Sequence, residues 1–183
     1  MQRTYLLGLV LLAAACKKDA PEAGLPPATQ TGANTGGCLI NGERFVAVEQ
    51  GGSLLSNPIP ALGGGFAFDS VYYVTLSGIY KGQRATVMLF LRTRVAGTYQ
   101  LNHTTQYYPQ GDPLRVFSHA TFSTAGSGGE TYVTNSQHTG QVVLTRADVQ
   151  AGIAAGTFEF TAASTFDPSK TVTVTSGRFD RQQ

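Results

Sequence analysis

Two short runs near the end of the chain, TFEFT at 157–161 and TVTVT at 171–175, alternate strictly between apolar and polar residues. Successive side chains of a strand point to opposite faces. Phe158, Phe160, Val172 and Val174 therefore share one face, and Glu159 shares the other with the threonines. The intervening STFDPSK (164–170) carries turn residues. The pattern predicts an antiparallel hairpin with one face on a core and one in water. A fold that includes it must put a second layer over the Phe/Val face.

Other hairpins precede it. Cys38-Leu39-Ile40 and residues 43–48 flank Asn41-Gly42, the dipeptide suited to a type I′ turn because both positions take positive φ. Residues 71–80 and 84–91 flank Lys81-Gly82, and their cores VYYVTL and TVMLFL are nearly continuous apolar runs. That pattern fits central strands buried on much of both faces, or for the second run a short helix. Residues 51–65 (GGSLLSNPIPALGGG) read as a loop, since Pro58 and Pro60 oppose a central strand. Further strands are expected at 98–101, 115–122, 130–134 and 140–145, with a polar loop at 103–113 and one helical turn at 146–150.

Strands at this density, joined by hairpin-length links and with no long amphipathic helix, predict an all-β fold: an antiparallel β-sandwich of about 8–10 strands, or a small partly closed β-barrel. The 22 glycines, 10 phenylalanines and 8 tyrosines, against 13% charged residues, agree with strands joined by tight turns.

The chain opens with MQRTYLLGLVLLAAACKK. Arg3 precedes an apolar run from Tyr5 to Ala15, too short to span a bilayer but of the length of a cleaved export signal. Ala13-Ala14-Ala15 followed by Cys16 resembles a bacterial lipobox, which implies cleavage before Cys16, diacylglycerol on its sulfur and acylation of the new amine. Residues 1–15 are thus expected to be a lipoprotein signal, 16–37 an acylated flexible tether rich in Pro, Ala, Gly and Thr, and 38–183 a single β domain. Lys17-Lys18-Asp19 with Glu22 resembles, with fewer consecutive acids, the short charged signal of surface-displayed lipoproteins of the Bacteroidota. The expected location is the outer membrane, anchored through Cys16, with a lean toward outward display.

Catalytic patterns are missing. His103, His119 and His138 are isolated, with no metal-ligand spacing and no catalytic order beside a carboxylate. No nucleophile elbow, zinc-protease helix, phosphate loop or dinucleotide fingerprint occurs. Ser127 sits in a Gly-rich turn. The sequence is read as a non-enzyme with no metal and no cofactor. The formal charge of +2, or +1 after loss of Arg3, comes from scattered basic residues, which argues against nucleic acid as a partner. With Cys16 acylated, Cys38 has no disulfide partner and reads as a small buried hydrophobe.

Two local signals remain. Asp69-Ser70-Val71 resembles the Asp-Ser/Thr-aliphatic motif of O-glycosylated exported Bacteroidota proteins, making Ser70 a candidate acceptor. Tyr107-Tyr108 occupies the polar loop at 103–113 and is the candidate ligand-binding pair, its rings stacking on a sugar or peptide or else packing over the sheet edge.

The lipobox, the Thr/Gly-rich tether, the opening GC-LINGERF-V hairpin, GQVVLTRAD, and the ending GTFEFTA…KTVTVTSGRFD together resemble a family of uncharacterised Bacteroidota cell-envelope lipoproteins. That resemblance implies fold and location and supplies no catalytic residues. The expected function is a non-catalytic binding module for a glycan, peptide or small ligand at the envelope. The alternative is a structural or assembly lipoprotein partnering another envelope protein.

Overall fold

The computed structural model describes residues 22–52 and 57–183. The signal, Cys16 and Lys17-Lys18-Asp19 lie outside the described residues. Eleven strands follow in order: β1 (Thr35–Ile40), β2 (Glu43–Val46), β3 (Leu62–Ala67), β4 (Val71–Tyr80), β5 (Gln83–Leu91), β6 (Gly97–Gln100), β7 (His119–Thr124), β8 (Thr131–Val133), β9 (Gly140–Asp148), β10 (Ile153–Ser164) and β11 (Thr171–Gln182). All pairings are antiparallel.

The strands form one hydrogen-bonded sheet in the order β2-β1-β11-β10-β8-β7-β5-β4-β3, with β9 beside β10 and β6 beside β9. The sheet curls into a half-barrel, so its two arms face each other across one core as sandwich layers do. Tyr72 of β4 stacks on Phe179 of β11 at 6.0 Å between ring centroids. A side chain at Gly78 of β4 would strike Phe45 and the Val46 carbonyl of β2, so only glycine lets the arms approach there. Beyond β2 the chain crosses the seam: the Val48 amide donates to the Ser77 carbonyl at 2.8 Å, and Gln50 bridges Ile59.

The expected hairpins are in place. Asn41 and Gly42 have φ of 49° and 80°, and Lys81 and Gly82 of 50° and 76°, the paired positive φ of type I′ turns. In the terminal hairpin Phe158, Phe160, Val172 and Val174 are buried on the core face and Glu159 is exposed. A bulge interrupts that pairing between Phe158 and Phe160, opposite Ser176, whose φ is 52°. Both VYYVTL and TVMLFL are strands, and Phe90 and Val71 are buried in a second cluster with Val116, apart from the main core.

Four expectations need correction. Leu62-Gly63-Gly64-Gly65, read as loop, begins β3. Its glycines lie so close to β4 that a Cβ on Gly64 would sit 2.4 Å from the Tyr73 carbonyl oxygen. The strand expected from Arg115 starts only at His119. The helical turn expected at 146–150 is absent: β9 runs on to Asp148 because Arg146, Ala147 and Asp148 pair with β10. The tether reading of 16–37 also stops short. Strand pairing begins at Thr35, and residues 22–34 form a strap against β11.

Candidate functional site

The outer face of the sheet carries an open polar groove over β6, β9, β10 and β11. The register sets it up: Gln100 pairs with Gln141 across β6–β9, Gln141 with Glu159 across β9–β10, and Thr161 with Thr173 across β10–β11. These residues alternate with the inward Val142, Phe158, Phe160, Val172 and Val174 and so point outward together. The groove has two halves, of about 410 and about 380 Å³. They meet at Gln141 and Glu159, where the amide Nε2 donates to the carboxylate at 2.9 Å. Thr161, Thr173 and Thr175 border one half. Thr157 and Arg178 border the other, which is closed by Glu22 and Ala28 of the strap. The bulge at Ser176 lies beneath it, and bulges bend and re-aim the strand that carries them.

The groove offers amides, hydroxyls and the exposed Glu159 carboxylate, which already accepts one bond from Gln141. Glu22 is already engaged: Ser176 Oγ donates to it at 2.5 Å and Arg178 at 3.3 Å, and these bonds hold its carboxyl below the ordinary value. The rings of Phe158 and Phe160 face the core, so the floor supplies hydrogen bonds rather than stacking.

The residues singled out from sequence fall elsewhere. Tyr108 packs its ring against Phe90 and Tyr73, both at 5.3 Å, and against Phe68 at 6.3 Å. Tyr107 is half-buried and shares none of these contacts. The pair is divided between packing and surface rather than forming one two-ring platform. Ser70 is exposed in the β3–β4 turn, its hydroxyl donating to the Phe68 carbonyl at 3.2 Å. Cys38 is a free, fully buried thiol, pushed up to about 12 by burial.

The histidines stay apart. His103 stacks on Phe117 at 4.5 Å, and His138 sits against Asn135. His119 is fully buried and uses both ring nitrogens: Nδ1–H donates to the Phe117 carbonyl at 2.8 Å, and Nε2 accepts the Tyr108 amide at 3.0 Å. That arrangement fixes the neutral form. Burial lowers its pKa more than the bond to Phe117 raises it. Among the described residues no three His, Cys, Asp or Glu side chains are grouped to hold a metal ion.

One functional-looking residue escaped the sequence reading. Asp180, only 1% exposed, lies beneath the strap. Its carboxylate accepts from Thr29 Oγ1 at 2.6 Å, Gly32 N at 2.7 Å, Thr31 N at 2.9 Å and Thr31 Oγ1 at 3.3 Å. Burial alone would raise its pKa. The bonds from Thr29, Thr31, Gly32 and Ala33 together outweigh it and leave the carboxyl below its ordinary value. Nothing local marks Asp180, because its partners lie about 150 residues away.

A one-sheet antiparallel half-barrel with polar surface grooves is thus the class the structure defines. Residues 67–181, more than half of the chain, match the family described as Domain of unknown function (DUF6252), and the chain belongs to it. No curated protein and no solved structure matches the chain.

Proposed function

We propose that this protein is an outer-membrane lipoprotein of the Bacteroidota type whose half-barrel is a non-catalytic binding module for a glycan. The observation that carries the binding reading is the continuous row Gln100–Gln141–Glu159, flanked by Thr161, Thr173 and Thr175, in one outward groove. Amides and hydroxyls in a row both donate and accept, as the vicinal hydroxyls of a sugar chain require. The two halves, of about 410 and about 380 Å³, suit an extended ligand lying across the strands. Support for the anchor is the apolar run ending in Ala13-Ala14-Ala15-Cys16. Two or more acyl chains hold a protein stably on a bilayer.

A glycan array probed with the mature chain tests the binding reading. Gln141→Ala with Glu159→Ala should abolish any signal at unchanged melting temperature. An undiminished signal would place binding elsewhere. Cys16→Ala should end incorporation of a fatty-acid analogue and leave the protein out of the membrane fraction, and labelling that persists would remove the anchor assignment.

A second reading, assembly with an envelope protein, is favoured by one surface. Phe68, which packs against Tyr108, and Leu114 and Phe117, which neighbour the buried Val116 of the same cluster in the chain, are 46%, 55% and 49% exposed. Pull-down by Phe117→Ser and Leu114→Ser variants, compared with wild type, separates it from glycan binding, because neither change touches the groove.

A further inference from the structure

The strap is fastened along the outer face of β11 at three points. Glu22 bonds to Ser176 and Arg178 halfway along the strand. Thr29, Thr31 and Gly32 converge on the Asp180 carboxylate. At the strand's end, Asn34 Oδ1 accepts from Arg181 at 2.7 Å and from the Gln182 amide at 3.1 Å. Apolar contact adds little: Leu25 and Pro26 lie half-buried over Gly37 of β1, where a Cβ would meet each at 3.2 Å, and most of the strap stays exposed. A segment held mainly by polar contacts at the surface opens at less cost than the whole fold.

This fastening decides how much chain is left to reach a membrane. Glu22 is the sixth residue after Cys16, and Asn34 is the eighteenth. With the strap docked, the six residues span at most about 20 Å when fully extended. As a flexible chain they average about 13 Å. With the strap lifted as far as Asn34, the eighteen residues average about 23 Å. The point of exit moves as well, from the middle of β11 to its C-terminal end. Both changes bear on the groove, because Glu22 and Ala28 close its second half.

We propose, resting on the anchor reading of Cys16, that the strap is a latch that sets how far the groove stands from the bilayer. Docked on Asp180, it completes the second half of the groove and holds that half close to the membrane. Lifted, it removes the wall and lets the domain move outward. The coupling runs both ways: a ligand that needs the wall holds the latch closed, and a closed latch favours such a ligand.

Neutron reflectometry tests this on the chain beginning at Cys16, coupled through that thiol to maleimide-bearing lipid in a supported phosphatidylcholine bilayer. Cys38 is fully buried and does not compete for the maleimide. Asp180→Asn removes the charge on which the strap converges. Gly32→Val acts from the strap side and leaves the sheet untouched. Its φ is 81°, and a Cβ there would sit 2.9 Å from that of Gln182, so the strap cannot seat. Both variants should move the centre of the protein layer outward by about 10 Å. In each, the Thr31 amide should lose its protection from hydrogen exchange. A wild-type layer as far out as that of the variants would overturn the latch. So would variants that lose Thr31 protection without moving outward, or protection kept in both. The coupling chemistry supplies the anchor in this experiment. Failed fatty-acid labelling of Cys16 therefore removes the anchor assignment alone, whereas an unchanged distance removes the latch.

Discussion

Replacing Asp180 with Ala removes the acceptor on which the strap converges. Three short bonds end on this carboxylate, from Thr29 Oγ1, Thr31 N and Gly32 N, at 2.6–2.9 Å. Hydrogen bonds to a charged group contribute about 1.5–3 kcal/mol each, so their simple sum is several kcal/mol. The loss is smaller than that sum, because the strap can lift and give its donors to water. The ceiling is therefore the free energy that docks the strap. Its other polar ties lie at the surface: Glu22 with Ser176 and Arg178, Arg146 with the Gln30 carbonyl, Arg44 with the Ala23 carbonyl, and Asn34 with Arg181 and the Gln182 amide. Exposed ion pairs contribute about 0–1 kcal/mol. Asp180→Ala should thus cost about 2–4 kcal/mol in a soluble form beginning at Lys17.

The cycle is completed by a chain starting at Asn34, in which Asp180 faces water. There the same substitution should cost under about 0.5 kcal/mol, as a surface change does, leaving a coupling of about 1.5–4 kcal/mol between strap and carboxylate. Urea titration followed by far-ultraviolet circular dichroism suits a chain without tryptophan. An equal loss in both backgrounds would refute the reasoning, since Asp180 would then be stabilising β11 by itself.

Two further substitutions test the packing. Phe160→Ala should destabilise by about 3–5 kcal/mol through lost burial and the cavity left behind, whereas Glu159→Ala on the opposite face should cost under about 0.5 kcal/mol. Denaturant midpoints compare them, and equal effects would overturn the face assignment. Tyr108→Ala should lower the melting temperature by several degrees, because three rings lose their partner, while Tyr107→Ala should leave it within about a degree.

What could be read from sequence was whatever is local. Asn41-Gly42 and Lys81-Gly82 specify their turns from two residues each, and the TFEFT and TVTVT alternation specifies which ring faces the core. Where the signal depends on a distant neighbour, it fails. The Gly63-Gly64-Gly65 run shows no periodicity, since glycine has no side chain to alternate, yet the closeness of Tyr73 and Thr75 makes it a strand. The strap has a linker's composition, but Asp180 supplies from outside the stabilisation that its few apolar residues cannot. The groove is a row of residues assembled across strands, so each half of Gln141–Glu159 looks like ordinary surface in its own strand.

The outer face of the curled sheet is covered in two places, and each cover is fastened by a buried ionisable group. The strap rests on Asp180. The loop between β6 and β7 rests on His119, whose Nε2 accepts the Tyr108 amide and whose ring stacks on Phe90 at 5.0 Å. Both groups have folded-state pKa values below their ordinary ones, so each stabilises the fold above its unfolded value and loses that contribution as pH falls. For His119 the loss begins near pH 6.5, when the unfolded chain takes up a proton that the buried ring resists. For Asp180 it begins only near pH 3.8. Acidification should therefore release the covers in order. Between about pH 6.5 and 5, proteolysis should first appear in the 101–118 loop, while the strap at 22–34 stays protected. His119→Gln, which cannot titrate, should give the loop the same cleavage rate across that range. Simultaneous cleavage of strap and loop, or an unchanged pH dependence in His119→Gln, would mean that the two covers are not fastened independently.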